Sequence, residues 1–280
     1  MSIGHYGWVP DLPDHRDLTY AAPAEFLRAL PTMVDLRTQC PPVYDQGQLG
    51  SCTGNSIAGA IQFEQIKQKS KNFIPSRLFI YYNERAMENT INSDSGAQIR
   101  DGMKVVAKQG APPETDWPYN ITEFTDKPSA VAYKGGQKNR VLSYQRVSRT
   151  LSQFKGCLAS GYPFVFGFTV YDSFESASVA NSGQASMPQP GEQVVGGHAV
   201  CAIGYDDKNQ WFIVRNSWGP DWGMSGYFTL PYQYLLEENL SSDFWTIRMV
   251  ESSSNGKSNG HSNGYANGKR MSGNGKKRKH

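Results

Sequence analysis

The sequence lacks the features of a secreted, disulfide-stabilised or membrane-anchored protein. It has four cysteines among 280 residues, which is few for a secreted domain held together by disulfides. The longest apolar run, near positions 161–170, has about ten residues and is too short to span a bilayer. Residues 1–10 contain no apolar segment of the kind that a secretory signal requires. We therefore expect no membrane contact and an intracellular, cytoplasmic-type reducing compartment.

An excess of positive over negative charge is confined to one segment of the chain. The whole sequence has a net charge of +3, yet residues 251–280 hold seven lysines and arginines against one glutamate. The first 250 residues therefore carry −3, which argues against a basic groove for nucleic acid in the folded part.

The tail itself, residues 251–280, repeats Ser-Asn-Gly and ends in a basic run at 276–279. Such a composition cannot bury a core, so we predict that the tail is disordered. Its basic run predicts either contact with nucleic acid or nuclear-import machinery, or a simple solubilising role.

Residues 1–31 form a proline-rich segment, with prolines at positions 10, 13, 23 and 31. Proline fixes one backbone dihedral angle and removes a hydrogen-bond donor, so no long helix or central strand is expected here. We predict an extended arm or short prosegment. Four of its apolar side chains are expected to anchor it on a surface: Trp8, Leu12, Leu18 and Tyr20.

The rest of the chain changes from helical to β-rich near residue 140. Small-residue and amphipathic patterns predict helices that begin at Cys52, near Pro75 and near Gln98. Apolar runs between turn residues predict strands at 162–170, 194–205, 211–215, 226–230 and 244–250. This order indicates an α+β fold, with a mainly helical domain over 32–140 and a β-rich domain over 141–250.

Cys52 is the first candidate for chemistry. It follows a loop that contains Gly47 and Gly50, and it opens a predicted helix. The free N–H groups and positive potential of a helix N-terminus stabilise a thiolate and lower the pKa of the thiol. We therefore predict that Cys52 is a nucleophile. One disulfide among the other three cysteines stays open.

His198 is the only imidazole that the sequence places in the predicted folded core. The other four histidines lie in the arm or the tail: His5, His15, His261 and His280. A built-in partner for Cys52 must therefore be His198. Asn216 is a candidate to orient the ring through its N–H, and the Gln46 amide is a candidate to stabilise an oxyanion.

These residues together resemble the papain-like, cathepsin-like cysteine peptidases. The resemblance covers about residues 31–250 and does not extend to the arm or the tail. The segments that carry it are Val34-Asp35-Leu36-Arg37, Gln46-Gly47, Gly50-Ser51-Cys52, Trp117-Pro118-Tyr119, His198-Ala199-Val200, Asn216-Ser217-Trp218-Gly219 and Trp222-Gly223-x-x-Gly226-Tyr227.

The resemblance implies a papain-like fold, in which a helical left domain and an antiparallel, β-barrel-like right domain enclose the active-site cleft. It also implies a cysteine endopeptidase that acts on polypeptides as a monomer, without metal or cofactor. The implied roles are Cys52 as nucleophile, His198 as acid and base, Asn216 as orienter and Gln46 as oxyanion donor. The implied substrate contacts are Ser95, Gly96, Gly197 and Trp218.

Departures from the family pattern indicate an unusual branch. Leu49 stands where the family usually has a disulfide-forming cysteine, and Thr53 stands where it usually has a tryptophan. The short arm replaces a long helical prodomain and resembles that of bacterial and large-DNA-virus members, so a nuclear or virion-associated location stays open. No histidine lies between His15 and His198, which disfavours the exopeptidase branch that uses a histidine-bearing loop.

Two other functions stay open from the sequence alone. The same triad would serve a transpeptidase or acyltransferase, in which an amine instead of water resolves the acyl-enzyme. The scaffold would also serve as a catalytically silent binding module. For residues 1–30 we expect either an inhibitory prosegment over the cleft, as in a zymogen, or a structural arm packed on the right domain.

Overall fold

A computed structural model of the chain describes residues 6–251. The predicted disordered tail and its basic run at 276–279 lie outside the described residues. Within the described range the order of elements follows the expected α+β pattern, because most helices precede residue 140 and most strands follow it.

The helices of the first half surround one buried helix. The helices of the described chain are α1 (Ala24–Arg28), α2 (Cys52–Lys67), α3 (Arg77–Glu88), α4 (Ile99–Lys108), α5 (Ala130–Gly136), α6 (Leu151–Ala159), α7 (Ala177–Ser182) and α8 (Tyr232–Leu236). The Ser76 hydroxyl caps α3 by accepting the Phe79 N–H at 3.2 Å, which satisfies one of the free donors at the helix start.

The strands form one mainly antiparallel sheet, and six of its eight strands come from the second half of the chain. Its strands are β1 (Thr19–Tyr20), β2 (Met33–Asp35), β3 (Val141–Val147), β4 (Phe164–Tyr171), β5 (Val194–Asp206), β6 (Trp211–Arg215), β7 (Tyr227–Pro231) and β8 (Ser241–Val250). They pair in the order β1-β3-β8-β4-β5-β6-β7, and β2 pairs with β5. Within residues 6–251 no pairing joins β7 to β1, so the sheet is open and does not close into a barrel.

Helix α2 is buried on nearly all sides between the other helices and the sheet. It packs against α3 and α4 on one side and against β5 and β8 on the other. Small side chains allow this close approach; a Cβ added to Gly54 would lie 2.8 Å from the Arg77 carbonyl oxygen. A helix that is apolar or small all round belongs in a core rather than at a surface. The start of α2 is therefore held rigidly.

Aromatic side chains fill the space between α6 and the sheet. The Phe154 ring lies 5.2 Å from the Phe164 ring and 4.5 Å from the Phe244 ring, measured between centroids. All three are buried. Large aromatic rings contribute much of the free energy of burial in a core, so this cluster fixes β4 and β8 relative to each other.

The N-terminal arm is extended and packs on both halves. Its residues Thr19 and Tyr20 form β1, which pairs in parallel with β3, and Tyr20 is buried as predicted. The expected anchors Leu12 and Leu18 are wrong, because both are more than 70% exposed. The backbone of this stretch makes the contacts instead. The Arg100 side chain donates to the Leu12 carbonyl oxygen, and the Arg146 backbone N–H donates to the Leu18 carbonyl oxygen at 2.8 Å.

The predicted helices and strands lie within a few residues of observed ones, but the helices α1 and α5 to α8 and the strands β1 to β3 were not predicted. Two of these, β3 and α6, show why. The Val141–Val147 strand has mostly half-buried positions without clean alternation. Helix α6 is nine residues long, which is short for a periodicity signal. Packing against the rest of the chain decides both elements.

Candidate active site

Cys52 is the first residue of α2 and is 0% exposed. Its sulfur accepts a hydrogen bond from the Ala199 backbone N–H at an N···S distance of 3.3 Å. Ala199 follows His198 on β5, so this bond brings the helix start against the strand that carries the predicted acid and base. Two residues that are 147 positions apart in the sequence thus meet at the thiol.

His198 and Asn216 are bonded as the sequence predicts. The His198 Nε2 atom lies 2.8 Å from the Asn216 Oδ1 atom, and that oxygen also accepts the Ser217 N–H at 2.9 Å. Since an amide oxygen only accepts, Nε2 carries the proton in the neutral ring. The Nδ1 atom has no hydrogen-bond partner within residues 6–251 and holds the lone pair that a general base requires.

Trp218 shields this pair from water. Its ring stacks on the His198 ring at a centroid distance of 4.9 Å and an interplanar angle of 24°. His198 is 0% exposed and Asn216 is 3% exposed. A hydrogen bond in such surroundings holds the imidazole more firmly than it would in water.

Gln46 lies fully buried in the loop before α2. Its side-chain Nε2 donates to the Leu49 carbonyl oxygen at 2.9 Å. Its Oε1 accepts from the Ser217 hydroxyl at 2.7 Å. Because Ser217 is the neighbour of Asn216, the amide that precedes Cys52 is fixed to the segment that orients His198.

The N-terminal arm runs directly across this site. The Gly7 carbonyl accepts the Ala97 N–H at 2.7 Å, and the Val9 N–H donates to the Ala97 carbonyl at 3.0 Å. On the opposite wall the Trp8 N–H donates to the Gly197 carbonyl at 2.9 Å. The arm therefore adds a strand-like segment between the helical half and the sheet.

Glycines on both walls make room for this segment. A Cβ added to Gly7 would lie 1.7 Å from the Gly50 carbonyl oxygen. A Cβ at Gly96, whose φ is +72°, would lie 2.3 Å from the Gly7 oxygen, and one at Gly197 would lie 2.6 Å from the Trp8 oxygen. The close fit allows glycine and little else at these positions.

Three of the four predicted substrate contacts lie beside the arm, and the fourth, Ser95, bonds within its own loop. Gly96, Gly197 and Trp218 line the path of the arm; Trp218 also meets the Tyr6 ring edge at 6.0 Å. The Ser95 hydroxyl donates instead to the Gly96 carbonyl at 3.1 Å. The main-chain partner of the arm on the helical wall is Ala97, which the sequence reasoning missed, because no side-chain chemistry marks a residue that bonds only through its backbone.

Burial favours the uncharged forms of Cys52 and His198 in this covered form. It raises the pKa of the Cys52 thiol to about 12, although the N–H groups of Ala199 and Gly7 oppose the shift. It lowers the pKa of His198 to about 4, opposed by the bond to Asn216. The lowered thiol pKa expected for a helix N-terminus is therefore not found here, since desolvation outweighs the helix dipole.

Glu84 lies beneath the start of α2, and the sequence reasoning assigned it no role in the site. It is 0% exposed and its Oε2 accepts the Thr53 hydroxyl at 2.7 Å. Its Oε1 has no hydrogen-bond partner within the described chain. Burial raises the pKa of Glu84 to about 8. Thr53, at the position where the resemblance leads one to expect tryptophan, thus contacts a carboxyl group that holds its proton at neutral pH.

The rest of the described chain adds no second centre of this kind. All four cysteines are free thiols, so the disulfide that the sequence left open is absent. Between residues 6 and 251 no group of three or more His, Cys, Asp or Glu side chains is placed to hold a metal ion. In the same range no helix is long and apolar enough to cross a membrane.

Comparison with known proteins agrees with the expected family and branch. The model of the family described as "Papain family cysteine protease" matches residues 30–242. The chain is 42% identical over 271 residues to an uncharacterized peptidase C1-like protein of Acanthamoeba polyphaga mimivirus, which covers 88% of this chain and 87% of the viral protein.

Solved structures agree with the fold. The crystal structure of xylellain, a cysteine protease from Xylella fastidiosa, matches with a TM-score of 0.81 and 46% identity over 88% of this chain and 96% of that one. Procathepsin B S9 from Trypanosoma congolense has the same fold, with a TM-score of 0.69 and 18% identity over 89% of this chain and 87% of its own. The predicted fold class is therefore confirmed.

We predict that Glu84→Gln changes how stability depends on pH. The carboxyl ionises near pH 4.5 when unfolded but near 8 when folded, so the folded wild type loses stability as pH rises through this window. The loss relative to the glutamine variant is about 1.4 kcal/mol per pH unit at most. Urea unfolding of both proteins at pH 5, 6, 7 and 8 measures it.

The matched control for this prediction is Glu25→Gln, because Glu25 is exposed on α1. That variant should keep the pH profile of the wild type. A constant difference in the free energy of unfolding between wild type and Glu84→Gln from pH 5 to 8 would contradict the prediction.

Proposed function

The chain belongs to the papain family of cysteine proteases, and we propose that it is an endopeptidase whose chemistry is performed by Cys52, His198, Asn216 and Gln46. The observation that carries this assignment is a chain of contacts: the Cys52 sulfur accepts the N–H of Ala199, which follows His198; His198 is bonded to Asn216; and the Gln46 amide is bonded to Ser217, which follows Asn216. A hydrolytic thiol protease needs a nucleophile, a base and an orienter in such contact.

In the proposed reaction the Nδ1 atom of His198 takes the Cys52 proton, because Nε2 is bonded to Asn216. The thiolate sulfur attacks the peptide carbonyl carbon, and the carbonyl oxygen becomes an oxyanion. The C–N bond then breaks while the His198 imidazolium returns its proton to the departing amine. Water that is deprotonated by His198 hydrolyses the thioester and frees the Cys52 thiol.

Gln46 is proposed to help hold the oxyanion together with the Cys52 N–H. Its amide is fixed in orientation, since Ser217 donates to Oε1 and Nε2 faces the carbonyl of Leu49 in the same loop. A preorganised donor of this kind typically accounts for about 10² to 10³ in kcat. The fixed orientation means that Gln46 does not have to reorganise during the reaction.

The arm is proposed to be an inhibitory prosegment, which makes the covered form a zymogen. Three main-chain hydrogen bonds hold residues 7–9 between Ala97 and Gly197. The Tyr6 ring contacts His198 edge-on at 5.8 Å. The arm thus occupies the path of a substrate and excludes water from the thiol, and the resulting burial favours the uncharged thiol and imidazole.

We also propose the division of the chain into an arm over 1–31, a helical domain over 32–140 and a β-rich domain over 141–250. The cleft that the arm fills lies between Ala97 of the second segment and Gly197 of the third. The partner of the active protein is then a polypeptide substrate. A monomeric state and nucleic-acid contact by 251–280 stay predictions.

Cys52→Ala should abolish peptide hydrolysis while the fold persists. Loss of a nucleophile lowers kcat on the order of 10⁶-fold in proteases of comparable design, and alanine fits where the buried sulfur lay. Cleavage of a peptide library by the arm-released protein, with circular dichroism as the fold check, measures this. Cys40→Ala is the matched thiol control and should retain activity; equal activity of Cys52→Ala would sink the assignment.

Gly7→Ala should release the arm. Its Cβ would collide with the Gly50 carbonyl at 1.7 Å, so the hydrogen bonds that hold residues 7–9 are lost and the thiol becomes accessible. We expect alkylation of Cys52 by iodoacetamide at pH 7.5, followed by mass spectrometry, to rise at least about tenfold. Peptidase activity of the full chain should rise with it.

Leu12→Ala is the control for this experiment, because Leu12 belongs to the arm but is 72% exposed. It should leave the rate of alkylation unchanged. If Gly7→Ala reacts no faster than the wild type although its arm is displaced, the inhibitory role is wrong and the arm is purely structural.

A further inference from the structure

Beyond the thiol the arm places one carboxyl group in a built pocket. The Asp11 side chain is 0% exposed. Its Oδ1 accepts the Arg100 backbone N–H at 3.0 Å. Its Oδ2 accepts the Trp245 indole N–H at 2.9 Å and lies 3.5 Å from the Arg146 guanidinium. All three groups are donors, which is what an acidic side chain requires.

The donors belong to the body of the protein and not to the arm. Arg100 lies on α4, Arg146 on β3 and Trp245 on β8, and these three elements pack against one another. Arg100 and Trp245 are 4% and 1% exposed. The Arg100 backbone N–H and the Trp245 indole are positioned by these packed elements, and Asp243 of β8 holds the Arg146 guanidinium at 3.0 Å.

This pocket adjoins a slot that holds the Trp8 side chain. A Cβ added to Gly167 would lie 2.0 Å from the indole, so glycine there forms the floor of the slot. The Asp243 carboxylate accepts the Trp8 indole N–H at 3.1 Å and the Asp11 backbone N–H at 2.8 Å through the same oxygen. Asp243 therefore joins the slot and the pocket into one continuous surface that leads away from Cys52.

The balance of carboxyl and guanidinium groups around Asp11 indicates the charge of the ligand that would fit this pocket in the absence of the arm. Asp17 also belongs to the arm and binds Arg100 at 2.6 Å and Arg146 at 3.2 Å. With the arm seated, three carboxyl groups meet two guanidinium groups, and burial beside Asp243 raises the pKa of Asp11 to about 7. Without Asp11 and Asp17 the body retains two cations and one anion, so a single incoming carboxylate would balance it.

Resting on the proposed peptidase function, we infer that the arm imitates a preferred substrate, and that Arg100, Arg146 and Trp245 form a carboxylate-binding subsite of the cleft. The ligand class is a polypeptide with a tryptophan in the slot and an aspartate or glutamate three positions from it, on the side away from the scissile bond. Arg146 and Asp243 then determine specificity, and take no part in bond breaking.

The test uses the full chain with Gly7→Ala, Asp11→Ala and Asp17→Ala, which empties the subsite and leaves the body unchanged. Peptides carry tryptophan with aspartate three positions away, in both chain orders, and each has a partner with asparagine in place of aspartate. We expect kcat/KM at pH 7.5 to favour aspartate about tenfold in the order that directs the acid away from the scissile bond, since hydrogen bonds to charged groups are strong.

Arg146→Gln in the same background should reduce this preference, measured as the ratio of kcat/KM for the aspartate and asparagine peptides, to less than about threefold. The matched control is Arg140→Gln, because Arg140 precedes the same strand but pairs with Glu251; it should keep the tenfold preference. A second measurement needs no body variant: the peptide of residues 6–17, added in trans, should inhibit about tenfold more strongly than its Asp11→Asn version.

The outcomes separate the two proposals. If no peptide is cleaved and Cys52 resists labelling in the released protein, the proposed peptidase function fails. If the peptides are cleaved but aspartate and asparagine are equivalent in both orders, or the preference survives Arg146→Gln, the carboxylate subsite is overturned and the peptidase stands.

Discussion

The main-chain hydrogen bonds that residues 7–9 make with Ala97 and Gly197 join the helical half of the protein to its sheet across Cys52 and His198. This short pairing excludes water from Cys52 and His198, and a dry site favours the neutral form of each group. The helix N-terminus that should stabilise a thiolate is present, but its effect is smaller than the desolvation. Exposure of the site to water therefore governs whether the two groups can form an ion pair.

Two buried acids near the cleft, Glu84 and Asp243, have different hydrogen-bond partners. Glu84 accepts the Thr53 hydroxyl beneath α2, and burial raises its pKa to about 8. Asp243 instead accepts a hydrogen bond from Arg146 at 3.0 Å. Of these two buried acids, only Asp243 contacts the arm, through Trp8 and Asp11.

The sequence predicted local structure correctly where small residues, apolar runs or glycines favour a single type of element. The helix from Cys52, the strand that carries His198 and the turn at Asn216 were located from small residues, apolar runs and glycine positions. The strand β3 and the exposed positions of Leu12 and Leu18 were not, because their state depends on partners distant in the chain. Ala97 could not be found either, since its contacts use only backbone atoms that every residue has.

The sequence by itself determined the set of reactive groups: a thiol at a helix start, one imidazole in the predicted core, and two amides able to hold a ring and an oxyanion. It also determined the α+β order, through hydrophobic period and turn residues. Only the tertiary structure decided that the arm covers these groups, and that burial raises the pKa of Cys52 and lowers the pKa of His198 so that both are uncharged. It also decided that Arg100, Arg146 and Trp245 meet around one carboxyl group. The reason is physical: burial and long-range contact set solvation and charge balance, and neither is encoded in local spacing.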